Sequence, residues 1–313
     1  MKIVLLESLG ISGERLESYI QPLRKGGHCF ETYERDGDTA LQVERLKDAD
    51  VLMLANIPLK KEVLEQCRQL KFIDVAFTGV DHIPVETAKE MGIAISNASG
   101  YSNESVAELV IGMTISLLRK VPAVDRKTRE GGVVGSDVGC ELQGKTVGII
   151  GTGAIGRRTA ELFGAFGCRV LGYDAFPKEI PGVENVPLEE LLGQSDIITV
   201  HCPLMDSTRN MIDGGMFEKM KDGVIFINAA RGPIVDSDAL AKALHSGKAG
   251  AAGIDVYEME PPIPAEHPLL GAPNTILTPH IAYLSRESME KRAEIVFRNL
   301  DAWLNGEQVN KIV

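Results

Sequence analysis

Lys145-Thr-Val-Gly-Ile-Ile-Gly-Thr-Gly-Ala-Ile-Gly156 decides the fold of this chain. Its first six residues are an apolar run rich in β-branched side chains, the composition of a buried strand. Gly151-Thr-Gly-Ala-Ile-Gly156 follows at once, and then a helical pattern with Ala160, Leu162, Phe163 and Phe166. A dinucleotide needs these parts in this order. Gly151 permits the tight turn, Gly153 lets the backbone approach a pyrophosphate, and Gly156 lets the helix pack closely on the strand. The helix N-terminus then turns its N–H groups to the anion. Val170-Leu-Gly-Tyr-Asp174 reads as the next strand, and its acid stands 23 residues after Gly151. A carboxylate there accepts hydrogen bonds from the adenosine ribose hydroxyls and repels a 2′-phosphate. Ala175, Phe176 and Pro177 follow, with no arginine to receive that phosphate. The loop reads as a site for NAD rather than NADP.

The same alternation extends both ways from this loop. Thr146–Ile150, Arg169–Tyr173, Ile197–Val200, Val224–Asn228, Ala251–Ile254 and Thr275–Leu277 are six strand runs separated by helical stretches, matching a six-stranded doubly wound sheet. Upstream, Met1–Leu6, Val51–Leu54, Phe72–Val75 and Ile93–Ile95 read as strands, with helical patterns at Glu14–Lys25 and near 41–48, 60–69 and 84–91. Alternating strands and helices predict an α/β fold with parallel sheets covered on both faces. From Ser105 to about Thr128 a helical pattern meets no breaker until Pro122, and a loop of glycine and small polar residues, Gly131–Gly139, follows. A last helix, Arg286–Leu304, comes after the second sheet is complete and is free to return to the first, which would make that domain discontinuous.

Composition bounds the function. At about 150 residues per domain, 313 residues suggest two domains. Lys plus Arg is 33 against 44 Asp plus Glu, a net charge of −11, and no Lys/Arg run exceeds two residues. General nucleic-acid binding is therefore not expected. No apolar stretch approaches the roughly 20 residues of a membrane helix. The first apolar run, Ile3–Leu6, stops at Glu7, too short for a secretory signal. Cys29, Cys67, Cys140, Cys168 and Cys202 are odd in number and lack CxxC or metal spacing, which predicts no metal site and a reducing, cytoplasmic compartment.

Three polar residues stand just after later strands, where open α/β sheets bind ligands. Arg231 lies in Asn-Ala-Ala-Arg-Gly-Pro, Glu260 in Glu-Met-Glu-Pro-Pro, and His280 in Thr-Pro-His-Ile-Ala. Oxidation of a 2-hydroxy acid needs such a set. A guanidinium binds the carboxylate in a planar fork and polarises the C2 oxygen. An imidazole exchanges the hydroxyl proton, and a neighbouring carboxylate orients the ring and favours its protonated form.

At these residues the chain resembles the D-isomer-specific, NAD-dependent 2-hydroxyacid dehydrogenase family. The resemblance rests on Gly151–Gly156 with Asp174, and on His201-Cys-Pro-Leu with Thr208-Arg-Asn-Met-Ile. It rests also on Asn228–Asp236, Gly253–Pro261 and Thr278–Ala282. It implies that Arg231, Glu260 and His280 are the catalytic set. It implies that Ala154 and Ile155 meet the pyrophosphate, that Cys202, Pro203 and Thr208 lie along the cofactor, and that Ala229 and Asp255 border the nicotinamide, Asp255 facing its carboxamide. Residues 1–98 with 285–313 would form a flavodoxin-like substrate domain, and 99–284 the Rossmann NAD domain. Homodimers pairing through the NAD domains, with active sites in the interdomain cleft, are what the family leads one to expect. The family's substrate loop reads Ala76-Phe-Thr-Gly-Val-Asp81 here, placing Phe77, Thr78 and Gly79 at the substrate carboxylate.

Phe77 stands where a small residue or glycine is common in the family, and reads either as an apolar pocket wall or as core packing. Tyr101 and Tyr283 resemble the D-lactate and D-2-hydroxyisocaproate branch. Tyr101 reads either as a donor to the substrate carboxylate or as hinge packing. No regulatory domain is expected after Val313. The rival readings are an NAD-sensing, corepressor-like interaction protein on the same fold, and an NAD dehydrogenase of formate or phosphite type. The acid paired with the histidine argues against the formate pattern, which has glutamine there.

Overall fold

The computed structural model describes residues 1–133, 135, 138–260 and 262–313. Val134, Ser136 and Asp137 of the glycine-rich loop, and Pro261 of the Gly253–Pro261 run, lie outside the described residues. Contacts divide the chain into two units, Met1–Ser102 with Leu284–Val313, and Asn103–Tyr283.

In the first unit the chain runs β1 (Lys2–Leu5), α1 (Gly13–Lys25), β2 (Cys29–Thr32), α2 (Thr39–Leu46), β3 (Val51–Leu54), α3 (Lys61–Leu64), β4 (Phe72–Val75), α4 (Val85–Glu90) and β5 (Ala94–Asn97). The strands pair in parallel in the order β2-β1-β3-β4-β5, the flavodoxin-like arrangement. β3 and β4 are buried at every position, as strands covered on both faces must be. β2 has no counterpart among the expected strands. It is a four-residue edge strand of which only Phe30 is buried, so its apolar pattern is too thin to read. The last helix, Arg286–Leu304, belongs to this unit, where Trp303 stacks on Phe72 and Phe297 on Tyr19.

The second unit opens with α5 (Asn103–Leu118) and α6 (Val121–Arg129). The sequence suggested one helix from Ser105 to about Thr128, but the chain breaks at Lys120, which takes φ 53°. Pro122 opens the new helix in its first turn, where no N–H is needed. There follow β6 (Thr146–Ile150), α7 (Ala154–Ala165), β7 (Arg169–Tyr173), β8 (Val183–Asn185), α8 (Leu188–Gln194), β9 (Ile197–Val200), α9 (Gly214–Lys219), β10 (Val224–Asn228), α10 (Ser237–Ser246), β11 (Ala249–Ile254) and β12 (Thr275–Leu277). Seven parallel strands form the sheet in the order β12-β11-β10-β9-β6-β7-β8, not the six expected. The missed strand, β8, is three residues long, lies at the edge and is largely exposed, so neither length nor hydropathy marks it.

This is the Rossmann order with one strand added beyond the usual sixth. Successive residues of the central strands feed opposite cores. Ile149, Ile197, Ile225 and Ile227 pack with α5 and α7, while Ile150, Ile198 and Phe226 pack with α8, α9 and α10. The order reverses between β6 and β9, which places the ligand crevice over the carboxyl ends of the strands there.

Candidate active site

At the end of β6 the three glycines do three different things. Gly151 has φ +96°, and a Cβ there would lie 2.4 Å from the Cys202 nitrogen, so the chain leaving β9 rests on its backbone. A Cβ on Gly156 would lie 2.0 Å from the Gly151 carbonyl oxygen, which fixes α7 against the turn. Gly153 alone looks onto open space. It caps α7 with no side-chain hydrogen bond, and Ala154 beside it is exposed. An uncapped helix N-terminus facing an open glycine fits a pyrophosphate. Asp174, just past β7, is drawn to this loop. Its Oδ2 accepts the Thr152 N–H at 2.8 Å and the Thr152 hydroxyl at 3.3 Å, and its Oδ1 accepts the Phe176 N–H at 3.0 Å. The acid is thus set beside the glycine turn, where a ribose would meet it.

The segment after β9 is fastened from within. The Thr208 hydroxyl donates to the Pro203 carbonyl at 2.7 Å and accepts the Met205 N–H at 2.8 Å. Burial pushes the Cys202 thiol up to about 11, which keeps it a neutral apolar wall. His201 is half-buried with its Nδ1 shielded from solvent, and this desolvation pushes its imidazole down to about 4.

Three neighbouring strand ends carry the expected catalytic residues. Arg231 follows β10, where the buried Asn228 side chain donates to the Arg231 carbonyl at 3.0 Å and accepts the Ala230 N–H at 3.1 Å. Ala229 is buried between them. Gly232 is required by packing, because a Cβ there would lie 1.9 Å from the Tyr257 carbonyl group. The Asp255 N–H donates to the Asn228 carbonyl at 2.9 Å, and the His280 N–H to the Asp255 carbonyl at 2.8 Å. One backbone relay therefore ties the ends of β10, β11 and β12.

Asp255, fully buried, then fastens the histidine loop with its side chain. Oδ1 accepts the Thr278 hydroxyl at 2.6 Å and the Ile281 N–H at 2.8 Å, and Oδ2 the Ala282 N–H at 2.8 Å. Burial pushes this carboxyl up, while the three donors and His280 pull it down. His280 itself sits at φ 57°, a left-handed conformation that a non-glycine residue adopts only where its surroundings over-determine it. Its Nδ1 faces Glu260, 2.9 Å from Oε1 and 3.0 Å from Oε2. The ring meets Tyr283 edge to face at 5.4 Å. An imidazole held at Nδ1 by a carboxylate presents Nε2 for proton exchange. No group of three or more His, Cys, Asp or Glu residues that could hold a metal occurs among the described residues.

The substrate-loop residues belong to the first unit. Past β4, Phe77 is buried, and its carbonyl accepts the Ala98 N–H at 3.1 Å. The Asn97 side chain donates to the Thr78 carbonyl at 2.7 Å, and the Thr78 hydroxyl is buried with no partner among the described residues. Gly79 is half-buried. Tyr101 is buried with its ring 6.2 Å from that of Phe77, and the Arg292 guanidinium lies 5.9 Å from its centroid. Both aromatic rings are thus packed within this unit.

The structure brings Glu260 and His280 into contact and sets Arg231 two strands away on the same edge. Sequence reasoning gave no role to Thr152, Asn228, Gly232 or Thr278, which hold these groups in place. Asn228, Gly232 and Thr278 do stand inside the quoted motifs, so their proximity to the site residues was the available signal.

A Rossmann sheet with an open glycine turn and an acid–base pair along the same strand edge defines a nicotinamide-dependent oxidoreductase. The family model described as D-isomer specific 2-hydroxyacid dehydrogenase, NAD binding domain, matches residues 111–282, and the chain belongs to this family. It is 37% identical to a hydroxypyruvate reductase of Blautia hydrogenotrophica, over 100% of this chain and 99% of that one. It is 38% identical to a glycerate dehydrogenase of Methylorubrum extorquens, over 91% of this chain and 92% of the relative. A solved D-lactate dehydrogenase from Aquifex aeolicus, complexed with NAD and lactic acid, matches with TM-score 0.88 and 30% identity over 98% of this chain and 96% of that one. The protein is an NAD-dependent oxidoreductase acting between 2-hydroxy and 2-oxo acids. No described helix is long and apolar enough to cross a membrane.

Proposed function

We propose that the protein reduces a small 2-oxo acid, of the glyoxylate or hydroxypyruvate kind, to the D-2-hydroxy acid. The observation that carries this reading is the His280–Glu260 pair, 2.9 Å apart at a strand edge tied by backbone bonds to Arg231. The names of the relatives support the substrate class.

Arg231 takes the substrate carboxylate and polarises the C2 carbonyl with its planar fork. His280 gives the proton from Nε2 to the C2 oxygen, and Glu260 at Nδ1 keeps the ring aligned. Gly153, Ala154 and Ile155 would hold the pyrophosphate and Asp174 the ribose of NADH, with Cys202, Pro203, Thr208, Ala229 and Asp255 along its length. When bound, that cofactor supplies the hydride to C2. The Thr78–Gly79 backbone and Tyr101 would receive the substrate carboxylate. On this reading the first unit is the substrate domain and the second the NAD domain. The family leads us to propose a homodimer formed through the second unit, and the five free cysteines suit a reducing cytoplasm.

Loss of NADH absorbance with glyoxylate, hydroxypyruvate, pyruvate, 2-oxoisocaproate and 3-phosphohydroxypyruvate tests the proposal. Turnover should be fastest with the first two. His280→Ala should lower kcat by about 10²–10⁴-fold while NADH still binds. Absence of turnover with every acid would favour the NAD-sensing alternative, and an unchanged kcat in His280→Ala would refute the role of the histidine.

A further inference from the structure

The segment that carries Glu260 is braced at both ends by polar contacts that the chemistry above does not use. Glu258 precedes Glu260 by two residues, and its Oε2 lies 2.9 Å from Nε2 of His267, at the far end of the segment. His267 is buried, with its ring edge to face on Tyr257 at 5.4 Å. Its Nδ1 accepts the Leu269 N–H at 3.4 Å, which leaves the proton on Nε2 to be donated to Glu258. Burial pushes the Glu258 carboxyl up, but the His267 ring and the nearby Ser237 hydroxyl outweigh it and hold the group below its ordinary value. The carboxylate therefore stays ionised through the neutral range and the brace stays made.

The brace also reaches the arginine loop. Gly232, next to Arg231, presses on the Tyr257 backbone at a distance no Cβ would tolerate. One contact thus sits just before Glu258 and another upon it. Met259 and Glu260 are exposed like Glu258, which is tied to the buried His267. A catalytic hydrogen bond must be held to within about 0.5 Å, and a tie two residues away restrains the backbone from which Glu260 projects.

We propose that Glu258, paired with His267, is a positioning residue that sets the Glu260 carboxylate against Nδ1 of His280. The proposal rests on reading Glu260 and His280 as the acid–base pair. Glu258 acts through Glu260, so its loss should touch proton delivery and leave binding alone.

Glu258→Gln tests this, because the amide keeps the shape but has one accepting atom in place of two. In 2-oxo acid reduction kcat should fall about tenfold, with the KM of the acid and the Kd of NADH (read by its fluorescence) within about twofold. In a Glu260→Gln background, Glu258→Gln should cost nothing further, since the group it positions is gone. An unchanged kcat in Glu258→Gln would overturn the proposal. So would an equal additional loss in the Glu260→Gln background, or a parallel loss of NADH binding. If Glu260→Gln alone leaves kcat intact, the acid–base reading itself fails, a result distinct from failure of the brace.

Discussion

Asp255→Asn changes one oxygen to an NH₂ group with almost no change of volume, and it should unfasten the loop that carries His280. The carboxylate accepts three hydrogen bonds, two on Oδ1 and one on Oδ2. An asparagine turned one way aims its NH₂ at the Ala282 N–H, and turned the other way at the Ile281 N–H. Either orientation sets donor against donor at a fully buried position, where an unsatisfied group costs about 1–3 kcal/mol. Two effects oppose each other in the sum. Losing charge-assisted bonds adds to the cost, while removing a buried charge returns part of it. A net destabilisation of about 2 kcal/mol follows, or roughly 4–8 °C in Tm for a unit of this size.

The same loss bears on catalysis. His280 is held at φ 57°, a conformation that costs a residue with a Cβ about 1–2 kcal/mol. With the latch weakened by a similar amount, the loop relaxes and the ring leaves its place opposite Glu260. Converting about 2 kcal/mol into rate gives a fall in kcat of roughly 30-fold. Calorimetry with steady-state oxidation of NADH by a 2-oxo acid measures both quantities. A Tm within about 1 °C of the parent and a kcat within about twofold would refute the argument.

Arg231→Lys should raise the KM of the 2-oxo acid and lower kcat, about 10²-fold in kcat/KM, because the ammonium lacks the planar fork; equal kinetics would show that the fork is not used. Asp174→Ala removes the ribose acceptor and the charge that repels a 2′-phosphate, so the preference for NADH over NADPH should shrink by about tenfold or more, measured as a ratio of kcat/KM values. His201 makes stability depend on pH. Its folded value, near 4, lies below the ordinary 6.5, so the unfolded chain binds the extra proton between those limits. Stability is complete above about pH 6.5 and falls as the pH drops toward 4, by about 2–3 kcal/mol at pH 4.5. Denaturant unfolding at pH 7 and 4.5 should show a smaller difference for His201→Gln, and an identical difference would count against the linkage.

How much of this could be read in advance differs from place to place. The glycine turn was legible because strand, turn, helix and acid are consecutive, and each glycine answers a local steric demand. Helix ends were less so. Nothing between Ser105 and Thr128 stops a helix until Pro122, and only the left-handed turn at Lys120 shows where the chain divides. Edge strands β2 and β8 escaped notice because a strand with one buried residue, or none, carries little periodic signal. Glu258 gave no sign at all. Its partner His267 lies 9 residues away, and a glutamate before a Pro-rich turn looks like any solvated loop acid.

The order of residues alone established a parallel α/β protein with a dinucleotide turn and a preference for NAD, and it singled out Arg231, Glu260 and His280. Such features depend on neighbours along the chain, or on the ends of strands whose succession is itself written in the chain. Tertiary structure decided how those three side chains are held: Asp255 across to the histidine loop, Asn228 and Gly232 under the arginine, Glu258 behind the glutamate. Each of those restraints is a hydrogen bond or a close approach that exists only after burial brings separate strand ends to one edge. Local pattern sets which chemistry is present, and packing at long sequence separation sets whether it is aligned.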